Sequence, residues 1–449
     1  KPASDPSPSP VDADPGTLPS SHPWIPALKR AFDQDGFQQS HDARVKFEAC
    51  VQLHRRNSTL PHALLPRALA AGQRNAALRP AVLPVLGNRG RWLAQQNPDW
   101  EYATSGSQQI GVTTTTAWQD GQHHERIAYF RQLRASDAAA ARDLLQGGLG
   151  ELPAKERLDF VSALSVGLHA DDMPLLEPLL KDRSRDVRFA AASLLATLPE
   201  SGHARQLIAW ISPLVVQKKG LLTRSWQLEP PAGADPAWTG AAIETKRPQH
   251  DALGERAWWL YQLVRQVPLD WWGSHTGMAP GELIAWAGKT DWKAALSRGW
   301  RERVGPEDPH WIEALLNVRD REFHADAAQL LAMLPVAQRE KHWPGTVDEL
   351  QDAGVIGDVI ASHALGETLS ARYSAALFPS LLACFYRDRL RQDYGLRSVV
   401  LDFAAILHPE VLRDLRPLAR PADETPAMAE CATEFERILR IRAALHSHY

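Results

Sequence analysis

Glu177-Pro-Leu-Leu-Lys-Asp-Arg-Ser-Arg185 returns as Glu313-Ala-Leu-Leu-Asn-Val-Arg-Asp-Arg321, an offset of 313 − 177 = 136 residues. The glutamate, the Leu-Leu pair and both arginines keep their order. At the same offset Ala191-Ala-Ser-Leu-Leu-Ala-Thr-Leu-Pro199 comes back as Ala327-Ala-Gln-Leu-Leu-Ala-Met-Leu-Pro335. Upstream, Ala163-Leu-Ser-Val-Gly-Leu168 matches Ala295-Leu-Ser-Arg-Gly-Trp300 at an offset of 295 − 163 = 132. The four extra residues fall around Gly305 to Pro309, where a surface loop absorbs insertion most easily. The pattern is helix, turn, helix, charged corner and helix, closed by Leu-Pro. One such unit cannot bury its own apolar face, so the copies are predicted to stack.

Helical spacing extends well beyond the repeat. Leu158, Val161, Leu164 and Leu168 recur at helical intervals, and Val187, Ala191, Leu194, Leu195 and Leu198 make an apolar stripe. Thr425 is placed to cap a last helix with Pro426 in its first turn, and Met428, Cys431, Phe435, Ile438 and Leu439 supply one face. Strand alternation over several residues is hard to find. The predicted class is therefore all-α. In the charged corner, Ser184 or Asp182 is expected to cap the next helix, with Asp186 in its first turn. With Val187-Arg188 and Ala191-Ala192 following, this corner resembles HEAT repeats, which implies a HEAT-like helical repeat, an α-solenoid or superhelix. The arginine pairs Arg183/Arg185 and Arg319/Arg321 are expected to supply at least one helix lock each, with Asp186 and Glu322 as acid partners.

Composition sets the limits. The 449 residues are 44% hydrophobic and 23% charged, which suits a folded chain with a sizeable core. A net charge of −3 argues against a generally basic, nucleic-acid-coating surface. Cys50, Cys384 and Cys431 are far apart and form no CxxC pair, so neither a zinc knuckle nor a disulfide framework is indicated, and a reducing cytoplasmic location is expected. The longest apolar run, Ser374 to Tyr386, is too short to span a bilayer and contains Pro379. Sixteen tryptophans are many. The adjacent pairs Trp258-Trp259 and Trp271-Trp272 point about 100° apart on a helix, so one member of each is expected to meet another layer or a partner.

Along the chain, residues 1–26 are rich in Pro, Ser and Asp and read as a disordered leader. An N-terminal helical part follows over 27–100, then a first HEAT-like block over 123–228. A second block with C-terminal helices covers 253–449. The stretches 101–122 and 229–254 read as loops between them.

No motif for chemistry emerges. Gly147-Gly-Leu-Gly150 lacks phosphate-loop spacing, no HExxH or GxSxG occurs, and no cysteine has a histidine placed by a motif. The chain is therefore read as a non-enzyme with no catalytic residue, no metal and no cofactor. His123-His124-Glu125 is either a metal-binding start or a solvated helix start. Arg89, Arg91, Trp92, Asn97, Asp99 and Trp100 form the densest polar and aromatic cluster. It is either a partner-recognition patch, since Arg and Trp often anchor partners, or a helix ending at Asn97-Pro98 with Trp100 folded back. Arg387, Arg389, Arg391 and Arg397 are interleaved with Asp388 and Asp393, which reads as a solvated face.

Leu83-Pro-Val-Leu-Gly-Asn-Arg-Gly-Arg-Trp-Leu-Ala-Gln-Gln-Asn-Pro-Asp-Trp100, the stretch from Lys155-Glu-Arg157 through Leu198-Pro199, and Leu253-Gly-Glu-Arg-Ala-Trp-Trp-Leu260 together resemble a domain-of-unknown-function family of bacterial HEAT-like proteins. That family usually opens with a short helix that is missing here, so the resemblance implies a trimmed N-terminus. Its genes sit beside those of a SWIM zinc-finger protein, a MoxR-type AAA ATPase and a von Willebrand factor A-domain protein. The resemblance thus implies a scaffold or adaptor with one of these as protein partner. The alternative is a nucleic-acid-binding protein similar to HEAT-like alkylpurine DNA glycosylases, which use Trp, Arg and Asp in a groove; the charge of −3 gives phosphate little general attraction.

Overall fold

A computed structural model describes Asp14, residues 16–33, 40–104, 118–119, Gly121, and residues 123–219, 224–317, 327–386, 389–418 and 420–447. Of these residues 69% are helical and 3% lie in strands. By its contacts the chain divides into two compact units, residues 1–112 with 334–449, and residues 113–333.

The first stretch carries α1 (Ile25–Phe32), α2 (Ser40–Arg55), α3 (Leu65–Arg74) and α4 (Gly87–Gln95). Ordered structure begins before residue 26. Trp24 is fully buried, with the Arg56 guanidinium 4.4 Å from its ring, and Thr17 pairs with Thr59 in a short parallel bridge. The expectation of a disordered 1–26 leader is thus corrected for residues 16–26; residues 1–13 lie outside the described residues. An indole too large to leave in water outweighs the proline content around it. Asp14 accepts the backbone N–H groups of Asn88 and Arg89 at 2.5 and 3.1 Å, placing a carboxylate at the positive end of α4. Gly87 permits this with φ +62°, and a Cβ there would lie 2.6 Å from the Asp14 carboxyl carbon.

The continuous unit opens with α5 (His123–Ser136), α6 (Ala154–Ala163), α7 (Arg185–Ala196) and α8 (Gly202–Ile211). Phe130, Phe160, Val161, Leu164, Leu176, Val187, Ala191 and Leu195 fill their shared core. A hairpin follows, β1 (Val215–Lys219) antiparallel to β2 (Arg224–Leu228), with Val215 opposite Leu228. The sequence reading found no strand here, because five residues are too few to display alternation. The hairpin is held from outside: the Trp286 indole donates to Trp226 O at 3.0 Å and the His275 ring meets Val215 O at 2.8 Å.

The unit continues with α9 (Glu255–Gln266), α10 (Leu269–Thr276), α11 (Lys293–Arg303), α12 (Pro309–Leu316) and α13 (Ala327–Met333). Helix α9 buries an unbroken run from Trp258 to Val264, the mark of a helix covered on several sides. Both Trp258 and Trp259 are buried, each by a different neighbour. Trp258 lies against Tyr261 and the Arg298 guanidinium of α11, whereas Trp259 packs on Trp238 and donates to Thr245 O at 2.9 Å. The 229–254 stretch therefore forms part of the packing, through buried Trp238 and Ile243.

The two repeat copies correspond in order, with differences at the breakers. In the first, Glu177–Lys181 is a 3-10 turn; in the second the equivalent residues Glu313 to Leu316 end α12 and Asn317 caps it. Pro178 removes a backbone donor where Ala314 keeps it. Leu179 and Leu315 are both buried, as are Leu195 and Leu331. The matched glycines do different work. Gly167 sits in a turn with φ +60°, whereas Gly299 lies inside α11, where an added Cβ would stand 2.6 Å from Val264 Cγ1 of α9.

The corner is built differently from the expectation. Ser184 is the N-cap of α7, but its hydroxyl makes no capping bond. Asp182 instead accepts the Ser184 N–H at 2.7 Å and meets Arg157 of α6 at 2.8 and 2.9 Å. Arg185 pairs with Glu244 rather than Asp186, and Arg183 is exposed. Arg319, Arg321 and Glu322 lie outside the described residues.

After the unit boundary come α14 (Ala371–Cys384), α15 (Tyr394–Ile406) and α16 (Pro426–His446). The Thr425 hydroxyl accepts the Met428 N–H at 3.4 Å, and Met428, Cys431, Phe435, Ile438 and Leu439 are buried, as their spacing predicts. Helix α16 packs against α1, α2 and α15.

Candidate functional site

Three helices of the continuous unit enclose a groove of about 610 Å³, lined by Arg185, Phe189 and Ser193 from α7, Arg265 from α9, and Glu302 and Arg303 from α11. Gly299 lets α11 approach α9 closely. Two guanidinium groups, Arg185 and Arg265, each lie 5.2 Å from the centroid of the half-buried Phe189 ring. Each cation–π contact of this partly exposed kind contributes on the order of 0.5–1 kcal/mol.

Carboxylates hold these arginines in place. Arg185 meets Glu244 at 2.6 and 2.9 Å. Arg265 lies 3.4 Å from Glu302, which also accepts the Tyr261 hydroxyl at 2.5 Å and Arg298 Nε at 3.1 Å. Arg298 reaches Asp251 at 2.9 Å. Burial alone would raise the Asp251 pKa, but the bonds from Arg298 and the Leu253 N–H hold it below the ordinary carboxylate value. Burial, then the bond to Glu302, pushes the Tyr261 hydroxyl up, so it remains a donor. Burial lowers Arg303, with Asp308 and Asp270 pulling the other way. The site gathers charged side chains, several of them in ion pairs, around one aromatic ring.

The residues singled out in sequence lie elsewhere. Arg89 is exposed in the first turn of α4; Arg91 and Trp92 follow half-buried on the same helix. The helix ends at Gln95, and Asn97 caps a 3-10 turn, Pro98–Ala103, by accepting the Asp99 N–H at 3.0 Å. Asp99 is exposed and Trp100 half-buried on that turn, which packs back on α4. The cluster is contiguous, yet none of its members lines the groove. Arg391 pairs with Asp423 at 2.5 Å and Arg397 lies over Tyr394, whereas Arg387, Asp388 and the Arg389 side chain are outside the described residues. His123 pairs with Asp159 at 2.7 Å and stands 3.5 Å from Glu156. The side chains of His124 and Glu125 lie outside the described residues.

Phe189, Arg265 and Glu302 escaped the sequence reading. Phe189 interrupts the small-residue face after Val187-Arg188, which was the available signal. Nothing local marks the other two.

Among the described residues, His41, Asp42 and Glu434 bring a ring nitrogen and two carboxylates within 4.8 Å of one another, at metal-ligand spacing. A cation already serves these acids. Arg437 Nη2 donates to Asp42 at 2.8 Å and to Glu434 at 2.5 Å, while its Nε donates to the other Glu434 oxygen at 2.7 Å. A metal would have to displace that guanidinium, so the donor set does not fit one. Burial raises the Cys50 and Cys431 thiols to about 12, which leaves neither as a thiolate nucleophile.

Comparison with protein families gives a match over residues 1–449 to a family described as a family of unknown function (DUF5691). Neither the curated proteins nor the solved structures yield a match.

Proposed function

The chain belongs to DUF5691, a family of unknown function, and from that premise we propose that it is a non-enzymatic scaffold or adaptor that binds another protein through the groove of residues 113–333. The observation that carries this reading is the Arg185–Phe189–Arg265 cation–π cluster. Arginine and aromatic side chains gathered in a concave site are the side-chain types that anchor protein partners. In the same proposal the two repeat copies stack as HEAT-like helix pairs, and the protein works in the cytoplasm. The partner is one of the three classes implied by gene neighbourhood: a MoxR-type AAA ATPase, a SWIM zinc-finger protein or a von Willebrand factor A-domain protein.

The groove's acids favour a protein over a nucleic acid. Asp186 and Glu302 line it beside its arginines and Glu244 pairs with Arg185, so a phosphate backbone meets repelling charges as well as attracting ones. The test mixes the purified chain with each recombinant candidate partner and, separately, with duplex DNA carrying an alkylated purine. Binding to one candidate that an Arg185→Ala, Arg265→Ala double variant abolishes supports the proposal. Binding or base excision of the DNA, with no protein partner held, would replace it with the glycosylase-like reading.

A further inference from the structure

A smaller cavity, of about 230 Å³, lies in the other unit. Helix α2 contributes Arg44, Glu48, Gln52 and Arg55 to its wall. Gly366 to Thr368 and Ala405 to Pro409 close two further sides, and His446 of α16 closes the end. Its volume falls below the roughly 300–1,000 Å³ of sites for drug-sized ligands. A small ligand fits it.

The acids of this wall are already engaged. Glu48 receives Arg442 at 2.6 and 3.2 Å and the His446 ring at 2.7 Å. Glu367 receives Arg339 at 2.9 and 3.1 Å and the Ala364 N–H at 2.9 Å. The donors are in the opposite condition. Arg44 is 92% buried (8% exposed), and its terminal nitrogens bond only neutral carbonyls, those of Ala364, Ile360 and His363 at 2.7–3.2 Å. Its Nε–H has no acceptor. Burial lowers the Arg44 pKa, and the more distant Asp402 and Glu367 only partly counter this. Among the described residues no hydrogen bond engages the side chains of Gln52, Arg55 or Thr368. The His408 Nδ1 accepts the Glu410 N–H at 3.2 Å, which in the neutral ring leaves the proton on Nε2 as a further donor.

We propose that this cavity binds a small oxyanion, the phosphate or carboxylate group of a small molecule. Arg44 and Arg55 line it together with neutral donors, while its carboxylates, Glu48 and Glu367, are held by Arg442 and Arg339 behind the wall. The exposed Arg55 guanidinium can bond an anion in the cavity directly, and such a charge-assisted hydrogen bond is roughly twice as strong as a neutral one, while the buried Arg44 adds positive charge in the wall. The inference is independent of the groove in residues 113–333.

The experiment is calorimetric titration of the full chain at pH 7 with inorganic phosphate and, in a second arm, with malonate, against sodium chloride at equal ionic strength. One saturable site for either anion is expected. Phosphate alone binding identifies a phosphate group, malonate alone a carboxylate, and both a shared oxyanion site. Arg55 is exposed, so Arg55→Gln leaves the fold intact by circular dichroism and weakens binding about tenfold, as does Thr368→Val. No saturable heat with either anion, or unchanged affinity in Arg55→Gln, overturns the proposal.

Discussion

Arg134 grips Asp172 with both terminal nitrogens, at 2.8 and 3.0 Å, and neither side chain reaches solvent. The same guanidinium donates to the carbonyls of Ala138, Leu164, Val166 and Gly167, so one arginine ties the end of α5 to the turn after α6. Asp172 is also held by Arg142 at 2.8 Å and by the His169 N–H at 2.9 Å. Every donor and acceptor of the pair is met, which is the condition under which a buried ion pair is stable.

Removing one partner breaks that condition. Asp172→Ala should cost about 3–5 kcal/mol, because the buried Arg134 charge is left without its counterpart, and Arg134→Ala should cost less, because Arg142 still pairs with Asp172. Urea unfolding of the variants checks this. A loss below about 1 kcal/mol would show that water reaches the site.

Acid should weaken the 1–112/334–449 unit through two glutamates. Burial works to raise Glu48, but Arg442 and His446 bring it from 4.5 to about 2. Burial likewise opposes the bonds of His41 and Arg437, which bring Glu434 to about 2. Both pKa values fall on folding, so the unfolded chain takes up protons first. Their stabilisation is full above pH 4.5 and is lost as pH falls from there toward 2. For Glu48 the shift corresponds to about 3 kcal/mol. Urea midpoints between pH 6 and 2 should fall, and Glu48→Gln should be weaker at pH 6 with a flatter decline. A wild-type midpoint unchanged between pH 5 and 3 contradicts the assignment.

Gly299→Ala should destabilise by about 1–3 kcal/mol, since the new methyl group overlaps Val264 and neither helix can move freely. Gly281→Ala is the control. Its Cβ would meet open space in the first turn of a helix, so a neutral or slightly stabilising effect is expected. Equal melting temperatures for the two variants would mean that α9 and α11 pack less tightly than their geometry requires.

Trp24→Ala should cost about 3–5 kcal/mol, the usual range for emptying a buried tryptophan site. Thermal melting of the full chain measures it. No loss would place Trp24 outside the folded unit, as the sequence reading of a disordered leader had it.

The helical class was legible because apolar spacing is local: Val187, Ala191 and Leu195 could be read as one apolar stripe from their neighbours alone, and all three are buried. The Thr425 cap was legible for the same reason. What escaped depends on distant partners. Val215 to Lys219 become a strand because Leu228 and His275 meet them, and Asp182 binds Arg157 rather than capping α7. The groove draws residues 189, 265 and 302 from three helices, and no window of sequence contains all three. Identical letters also misled, since Gly167 and Gly299 match in the alignment of the copies but serve a turn and a helix contact.

The division of the chain has a consequence for the order of assembly during synthesis. Residues 113–333 are continuous and can collapse as they emerge, whereas α2 exposes Asp42 and Glu48 long before their partners exist. Arg442 follows Glu48 by 394 residues. At about 5–20 residues per second, that interval lasts on the order of 20–80 s. Throughout it a half-built layer with unmatched acids waits on the ribosome, open to chaperones and proteases. A chain stopped before Arg437 would leave one finished unit and one that can never close.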